Sequence, residues 1–501
     1  MSKNKVVIIG GGLGGLFCGA ILAKEGFNVT ILEKNATIGG GLQSFQRFGE
    51  TFDTGMHIIG GMQKGGNIYR ICKYLGITDN VKILDVDENC SEELYFAQNK
   101  QFYILKKGKQ NFIDSLATYF PEEKDNLQAY VDKIFQMVEN IDLFNLRESH
   151  NFMFSYTDNF LIPANEFINH YIKNKELRSV LAYMNPYYGG IGGKTPAYIH
   201  AIINALYING TSRFVGGSHK FADLLKEIII GNDGEVKTNS KVQWIEVKNK
   251  NIEYVETINK ERFSADYYIS NIHPHSLLTL MEEKALPKSY RDRLLSIPNS
   301  YSAFLLAIKL KENTFPYINH SQFYMSNYND IWSFADENKP WPMGFLFMTP
   351  PNDNQGKYAS KALITSPMTF SHVKRWENTQ VGQRGDEYLN WKKECTDKLL
   401  QLIKEIHPDF ISCIENINAA SPLTIRDYYA SSEGCISGFS KDVNNIILSQ
   451  VPIVTKIKNL FLTGQNNNMH GFCGVALTAI NTCEILLGNN YIIKKINQCE
   501  N

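Results

Sequence analysis

Near the N-terminus the apolar positions come in a block rather than in alternation. Val6-Val7-Ile8-Ile9 follows Lys5, and Val29, Ile31 and Leu32 recur after a glycine-rich turn and a second apolar run. A short continuous apolar run bounded by glycine is the pattern of a strand buried on both faces, as in a parallel sheet covered by helices. The run between the two strands has helical length, so the first stretch reads strand, glycine turn, helix, strand. Over 62–200 the pattern is mainly helical with strand-like interruptions. Apolar residues at Leu127, Val131, Ile134, Phe135, Val138 and Ile141 predict a helix over 127–144, and a shorter one is predicted over 111–119. Residues 214–272 return to the α/β pattern. A helix is expected over 220–230, strands over 235–237 and 241–247, a hairpin between Ile252 and Phe263, and a strand over 266–271. Strands over 302–310, 343–349 and 362–368, with a helix over 387–406, suggest an antiparallel sheet under helical cover. The last strand, 459–465, runs into small residues that open a helix from Val475 to Leu487.

Composition narrows the class. With 501 residues the chain has room for two or three domains and a large core. Its 51 basic and 51 acidic residues balance, and no basic face or tail points to nucleic acid. The 9 cysteines are dispersed and none forms C-x-x-C, which argues against a zinc site or redox pair and for free thiols in a reducing compartment. The first strand starts too early to leave room for a signal peptide, and no apolar run is long enough to span a bilayer. The expectation is a cytoplasmic protein without a transmembrane segment, with peripheral membrane contact left open. Aromatic residues gather at Phe152, Phe154, Tyr156, Phe160, Phe167 and Tyr171. Such a group suits either a helical core or the lid of an apolar pocket.

The candidate chemistry lies in the glycines. Gly10, Gly12 and Gly15 form G-x-G-x-x-G between strand and helix, the mechanical arrangement for a dinucleotide. Gly10 serves the tight turn, Gly12 the approach to a pyrophosphate, and Gly15 close packing of helix on strand. Leu13 and Gly14 open a helix whose N-terminal N–H groups and dipole favour phosphate. Glu33 ends the second strand, where a carboxylate accepts from a ribose hydroxyl, and Lys34 follows it. A second cluster, Gly39-Gly40-Gly41-Leu42, and a third around Gly55-Met56-His57 again bring backbone close to a ligand. Near the C-terminus, Gly464-Gln465-Asn466 is followed by Gly471 and by Gly474-Val475-Ala476, small residues at a second helix start. One pattern is a decoy. Gly189 to Thr195 looks like a phosphate loop, but Tyr188 stands where glycine is required and Pro196 follows. An ATP site is rejected, while Lys194 and its loop are still expected to face a pocket. No second G-x-G-x-x-G offers a site for NAD(P).

The run from Val6 to Gly61 resembles the FAD-binding N-terminus of the flavoprotein superfamily that holds amine oxidases, phytoene desaturases and Rab GDP-dissociation inhibitors. More narrowly, Phe52 to Gly60 and Leu462-Thr463-Gly464-Gln465 are similar to retinol saturases and their carotenoid-isomerase relatives. The resemblance implies FAD as cofactor. Gly39-Gly40 would pass beside its nucleotide, Gly55-Met56-His57 would lie near the isoalloxazine, and backbone at Val242 would meet the adenine. Gly464 to Ala476 would serve the pyrophosphate, the ribityl chain and the electron-accepting edge of the ring. Two positions depart from the pattern: Gly41 stands where amine oxidases often carry Arg, and Asn466 where relatives often carry an acid. The implied fold is α/β, a Rossmann-like FAD-binding domain assembled from 1–70, 214–274 and 440–490. An α+β substrate or lid domain, from 71–213 and 275–439, would be inserted into it. The implied activity is FAD-dependent oxidoreduction at the C=C bonds of a small lipophilic isoprenoid or polyene, by hydride transfer from reduced flavin. A desaturase or cis–trans isomerase on the same scaffold is the first alternative. A flavin-free binding protein like the GDP-dissociation inhibitors is the second, and the intact Gly10, Gly12, Gly15 and Glu33 oppose it. Saturation also needs a proton donor, for which His57 and His470, then Tyr429, are the candidates.

Overall fold

Lys5–Ile9 is the middle strand of a five-stranded, all-parallel sheet whose order is Glu235–Lys237, Asn28–Leu32, Lys5–Ile9, Tyr267–Ser270, Leu460–Leu462. The structure is a computed structural model that describes residues 3–149, 160–467 and 469–499. Strand period sorts the apolar block onto two sides. Val6, Ile8, Val29 and Ile31 join the core formed with the helices Leu13–Lys24, His219–Gly231 and Gly471–Leu487. Val7, Ile9 and Leu32 face the other way, onto the antiparallel strands Val242–Lys248, Asn251–Thr257 and Arg262–Phe263. Leu13–Lys24 and Gly471–Leu487 are buried over nearly their whole length, which is why their sequences are apolar on every side.

A second sheet has seven strands, in the order Ile414–Ala420, Ser302–Leu310, Lys361–Met368, Gly344–Met348, Ser321–Met325, Glu92–Phe96, Gln101–Leu105. All its pairings are antiparallel except Ser321–Met325 with Glu92–Phe96. Its strands therefore come from both 71–213 and 275–439. One face carries Leu94, Leu305, Phe323, Met325, Leu346 and Met348 toward the core shared with the helices. The other packs Phe304, Leu306, Tyr324, Phe347 and Ile364 under the helix Gly385–Ile403. Four of the seven strands are absent from the elements expected from pattern. Glu92–Phe96 and Ser321–Met325 open on polar residues that are themselves buried, and Gln101–Leu105 and Ile414–Ala420 lie toward the sheet's two edges, with polar residues outward.

Helices Lys109–Ala117, Lys124–Glu139, Ala164–Tyr171 and Ala197–Asn209 form a layer beside this sheet. Phe160 and Phe167 are core residues there, with Phe160 stacked on Tyr198 at 5.0 Å between ring centroids. Phe152, Phe154 and Tyr156 lie outside the described residues. All nine cysteines are free thiols. Among the described residues no single helix is long and apolar enough to cross a membrane.

Candidate functional site

The first glycine turn is built so tightly that side chains are excluded. Gly10 leaves the strand at φ +98°, and a Cβ on Gly15 would lie 2.2 Å from the Gly10 carbonyl oxygen. That contact seats the first helix directly on the first strand. Cβ atoms on Gly12, Gly14 and Gly464 would each come within 3 Å of the Asn271 side-chain amide. Asn271 follows the fourth strand of the parallel sheet; with its amide assigned oxygen-inward, the orientation that satisfies its neighbours, the oxygen accepts from the N–H groups of Gly12 and Gly15 at 3.3 and 3.2 Å. It thus ties together the two glycine motifs from opposite ends of the chain. Neither Gly12, before Leu13–Lys24, nor His470, before Gly471–Leu487, gives its helix a side-chain cap. Two helix N-termini with open N–H donors therefore border one cavity, an arrangement that favours phosphate or a polarised ring edge.

Glu33 is buried at the mouth of this cradle. Its two carboxylate oxygens accept from Gly11 N–H and Asn35 N–H, both at 2.8 Å. Burial pushes its pKa up, and these two amide bonds oppose the shift. Lys34 donates to the Asp427 carbonyl at 2.6 Å, at the end of the helix Pro422–Tyr429. The same helix brings the Tyr429 hydroxyl over Gly55, where a Cβ would stand only 2.4 Å from the oxygen. Asp53, just before, accepts from Ser44 Oγ and from Ser218 N–H at 2.7 and 2.8 Å, which anchors the 52–60 segment. His57 leads into Ile58–Gly60, and Ile58 lies in register with Arg213. Burial depresses the His57 imidazole, against the attraction of Asp53 and with the repulsion of Arg213. Burial, aided by Lys441, takes His470 down to about 3. Both histidines are thus neutral at neutral pH. Burial raises the Tyr429 phenol. Nδ1 of His57, Nε2 of His470 and Oη of Tyr429 are each buried without a hydrogen-bond partner.

One cavity of about 1220 Å³ runs through these elements. It exceeds the usual volume for a single small ligand, so a dinucleotide and a second molecule fit together. Gly10, Gly12, Leu13, Gly14, Glu33, Lys34, Gly40, Gly41, Leu42, Gly55, Met56, His57, Val242, Gly464, Gln465, Asn466, His470, Gly471, Gly474, Val475 and Tyr429 all line it. Gly15, Gly39 and Ala476 sit behind the lining; Gly39 donates to the Gly11 carbonyl at 2.8 Å. Lys194 is exposed and absent from the wall, so the expectation that it faces this cavity is corrected. The loop's geometry follows from a 3-10 turn, Asn185–Tyr188, rather than from a strand feeding a phosphate loop. Beyond the glycines the wall turns apolar. Ile199, Ile202, Ile203 and Leu206 come from one helix face, and Leu305, Phe323, Leu346 and Met348 from the second sheet. Asn271, Arg47, Lys392, Tyr187 and Tyr207 also line the cavity, although no local motif marks them.

The fit to a flavin dinucleotide is therefore structural: a side-chain-free cradle, two uncapped helix starts and three orphaned polar atoms around one large cavity. A family model, flavin containing amine oxidoreductase, matches residues 13–363. The chain belongs to this family. It is a flavin-dependent oxidoreductase with FAD as its cofactor, which sets aside the flavin-free binding protein. Among relatives, this family member is 25% identical to all-trans-retinol 13,14-reductase of Danio rerio, over 97% of this chain and 86% of that protein. It is 23% identical to prolycopene isomerase 2, chloroplastic, of an Oncidium hybrid cultivar, over 92% and 79%. The fold is that of an oxidoreductase from Methanosarcina mazei, at a TM-score of 0.66 and 17% identity over 96% of this chain and 100% of that one.

Proposed function

We propose that this flavoenzyme saturates a C=C bond in a lipophilic isoprenoid or polyene. The observation that carries the reading is the continuity of the glycine cradle with an apolar chamber walled by Ile202, Ile203, Leu206, Phe323 and Leu346. Such a wall offers an amine or small acid few partners, and it desolvates a hydrocarbon chain well. The similarity to all-trans-retinol 13,14-reductase supports the same direction. Bound FAD would supply hydride chemistry at its ring. Gly10 to Gly15, Gly39 to Leu42 and Gly464 to Ala476 would hold it, and Glu33 would face its ribose. Val242 would lie at the adenine. His57, His470 and Tyr429, with their unpartnered atoms, would border the ring. The neutral state of both histidines suits them to hydrogen bonding rather than to proton donation. The proposed division keeps 1–70, 214–274 and 440–490 as the FAD domain and 71–213 with 275–439 as the substrate domain, whose sheet would wall the chamber. A cytoplasmic protein drawing its substrate from a membrane surface fits the apolar wall.

Similarity to a prolycopene isomerase favours a second reading, cis–trans isomerisation. Anaerobic stopped-flow mixing of the reduced holoprotein with all-trans-retinol or a carotene separates the two. Saturation predicts stoichiometric reoxidation of the flavin. Isomerisation leaves the flavin reduced, and inertness toward every polyene tested contradicts both.

A further inference from the structure

Gln46, Arg47, Val381 and Tyr428 line the cavity and are exposed, so the cavity reaches solvent beside them. Three elements build this rim, and hydrogen bonds and ring contacts fix each of them. Arg47 ends the strand Ser44–Arg47. Its hairpin partner, Glu50–Asp53, is held to the second sheet by Lys361, which donates to the Thr51 carbonyl at 2.7 Å. Lys392, also on the cavity wall, lies near the start of the helix Gly385–Ile403. Trp391, just before it, meets Phe304 edge-on at 5.9 Å, so this helix start rests on the same sheet. Tyr388 shares a 2.7 Å hydrogen bond with Ser421, the cap of the helix Pro422–Tyr429 that carries Tyr428.

Acids on this rim are engaged elsewhere. Asp427 pairs with Arg384 and Arg426, and Glu387 with Arg375 at 3.0 Å. Glu50, opposite Arg47 in the hairpin, stands 4.0 Å from Lys361. Among the described residues, the Lys392 ammonium and the Arg47 guanidinium have neither a hydrogen bond nor an ion pair. Arg47 lies only against the ring of its neighbour Phe48, 6.0 Å from the centroid. Lys392 is half-buried. Burial first, then the repulsion of Arg384 and Arg47, holds its ammonium below the ordinary lysine range. A half-buried cation that faces other cations is stabilised by an anion brought to the same place. Inward from this pair the wall is apolar, from Ala420 and Leu305 to Leu346 and Ile203.

We propose that Lys392 and Arg47 hold the carboxylate head of an acid-terminated polyene, whose hydrocarbon chain lies in the apolar chamber. The inference rests on the polyene reading above and narrows its substrate class to an amphiphile with an acid at one end. The planar guanidinium of Arg47 offers paired N–H donors that match a carboxylate, and Lys392 adds a point charge from the opposite element. A neutral alcohol or hydrocarbon fills the same chamber and leaves both cations unpaired.

The test titrates oxidised holoprotein with all-trans-retinoic acid and with all-trans-retinol, which share one chain and differ in the head. Flavin absorbance and tryptophan fluorescence, with Trp391 beside Lys392, read the binding. At low salt the acid should bind about tenfold more tightly than the alcohol, and the advantage should shrink as ionic strength rises. The double variant Lys392→Gln, Arg47→Gln should bind the two heads alike, with its affinity for the alcohol and its flavin content within about twofold of wild type. Lys392→Arg, which keeps the charge, should retain the preference. Equal binding of acid and alcohol by wild type overturns the proposal, as does an acid preference that survives in the double variant. Because the readout is binding, acid preference without turnover by the reduced holoprotein would sink the saturation reading and leave the head-group site standing. If neither polyene binds, the polyene reading fails, and oleic acid against oleyl alcohol decides the site. An acid preference removed by the double variant supports it, and no preference overturns it.

Discussion

Gly15 has the least room of any residue in the dinucleotide turn, because its neighbour is a backbone carbonyl that cannot swing away. Gly15→Ala should lift the first helix off the first strand, destabilise the protein by about 1–3 kcal/mol and empty the flavin site. Flavin released by heat, measured per mole of protein, checks it. The buried histidines make a second prediction. His200, His273 and His470 are each held down at about 3 by burial. Unfolded, they take up protons below the usual histidine range, while folded they do not. Their contribution is thus fully present above that range and is lost as pH falls through it toward 3. Denaturant unfolding between pH 5.5 and 4 should show stability falling by about 1.4 kcal/mol per unit for each histidine, with little change above pH 7. At this scale the sequence was legible where chemistry depends on an absent side chain. Gly10, Gly12, Gly14 and Glu33 reach the cavity wall because their roles are local. Asn271, Arg213 and Glu92 carried no local signal, since each acquires its neighbours only when distant strands pair.

At the scale of elements, the apolar face of Ala197–Asn209 and the cavity face of the seven-stranded sheet form opposing walls of the apolar chamber. Ile203 is half-buried there. Ile203→Trp should leave flavin content unchanged and weaken polyene binding about tenfold or more, about 1.4 kcal/mol. Titration of the oxidised-flavin absorbance with the polyene reads it. The parallel sheet was legible because strands buried on both faces write continuous apolar runs. Of the seven-stranded sheet, Ser302–Leu310, Gly344–Met348 and Lys361–Met368 were legible for the same reason. Glu92–Phe96 and Ser321–Met325 were not, because a buried glutamate, serine or glutamine breaks the apolar run even though the fold buries it.

For the whole molecule, residues far apart in sequence, around Gly12, Gly40, Val242 and Gly464, meet around one cavity, where the proposed FAD site would join them. A ligand that binds only the folded state stabilises it by about 2.7 kcal/mol at a hundredfold excess over its dissociation constant. Stripped protein should therefore melt lower than holoprotein, and added FAD should raise its Tm in a concentration-dependent way. The cavity is proposed to bring a polyene to the flavin for saturation. The most direct measurement is the mass of the polyene recovered after one anaerobic turnover with reduced holoprotein. Saturation gives a product heavier by two hydrogens, formed in step with flavin reoxidation. Recovery of the polyene at unchanged mass, with the flavin still reduced, would contradict it.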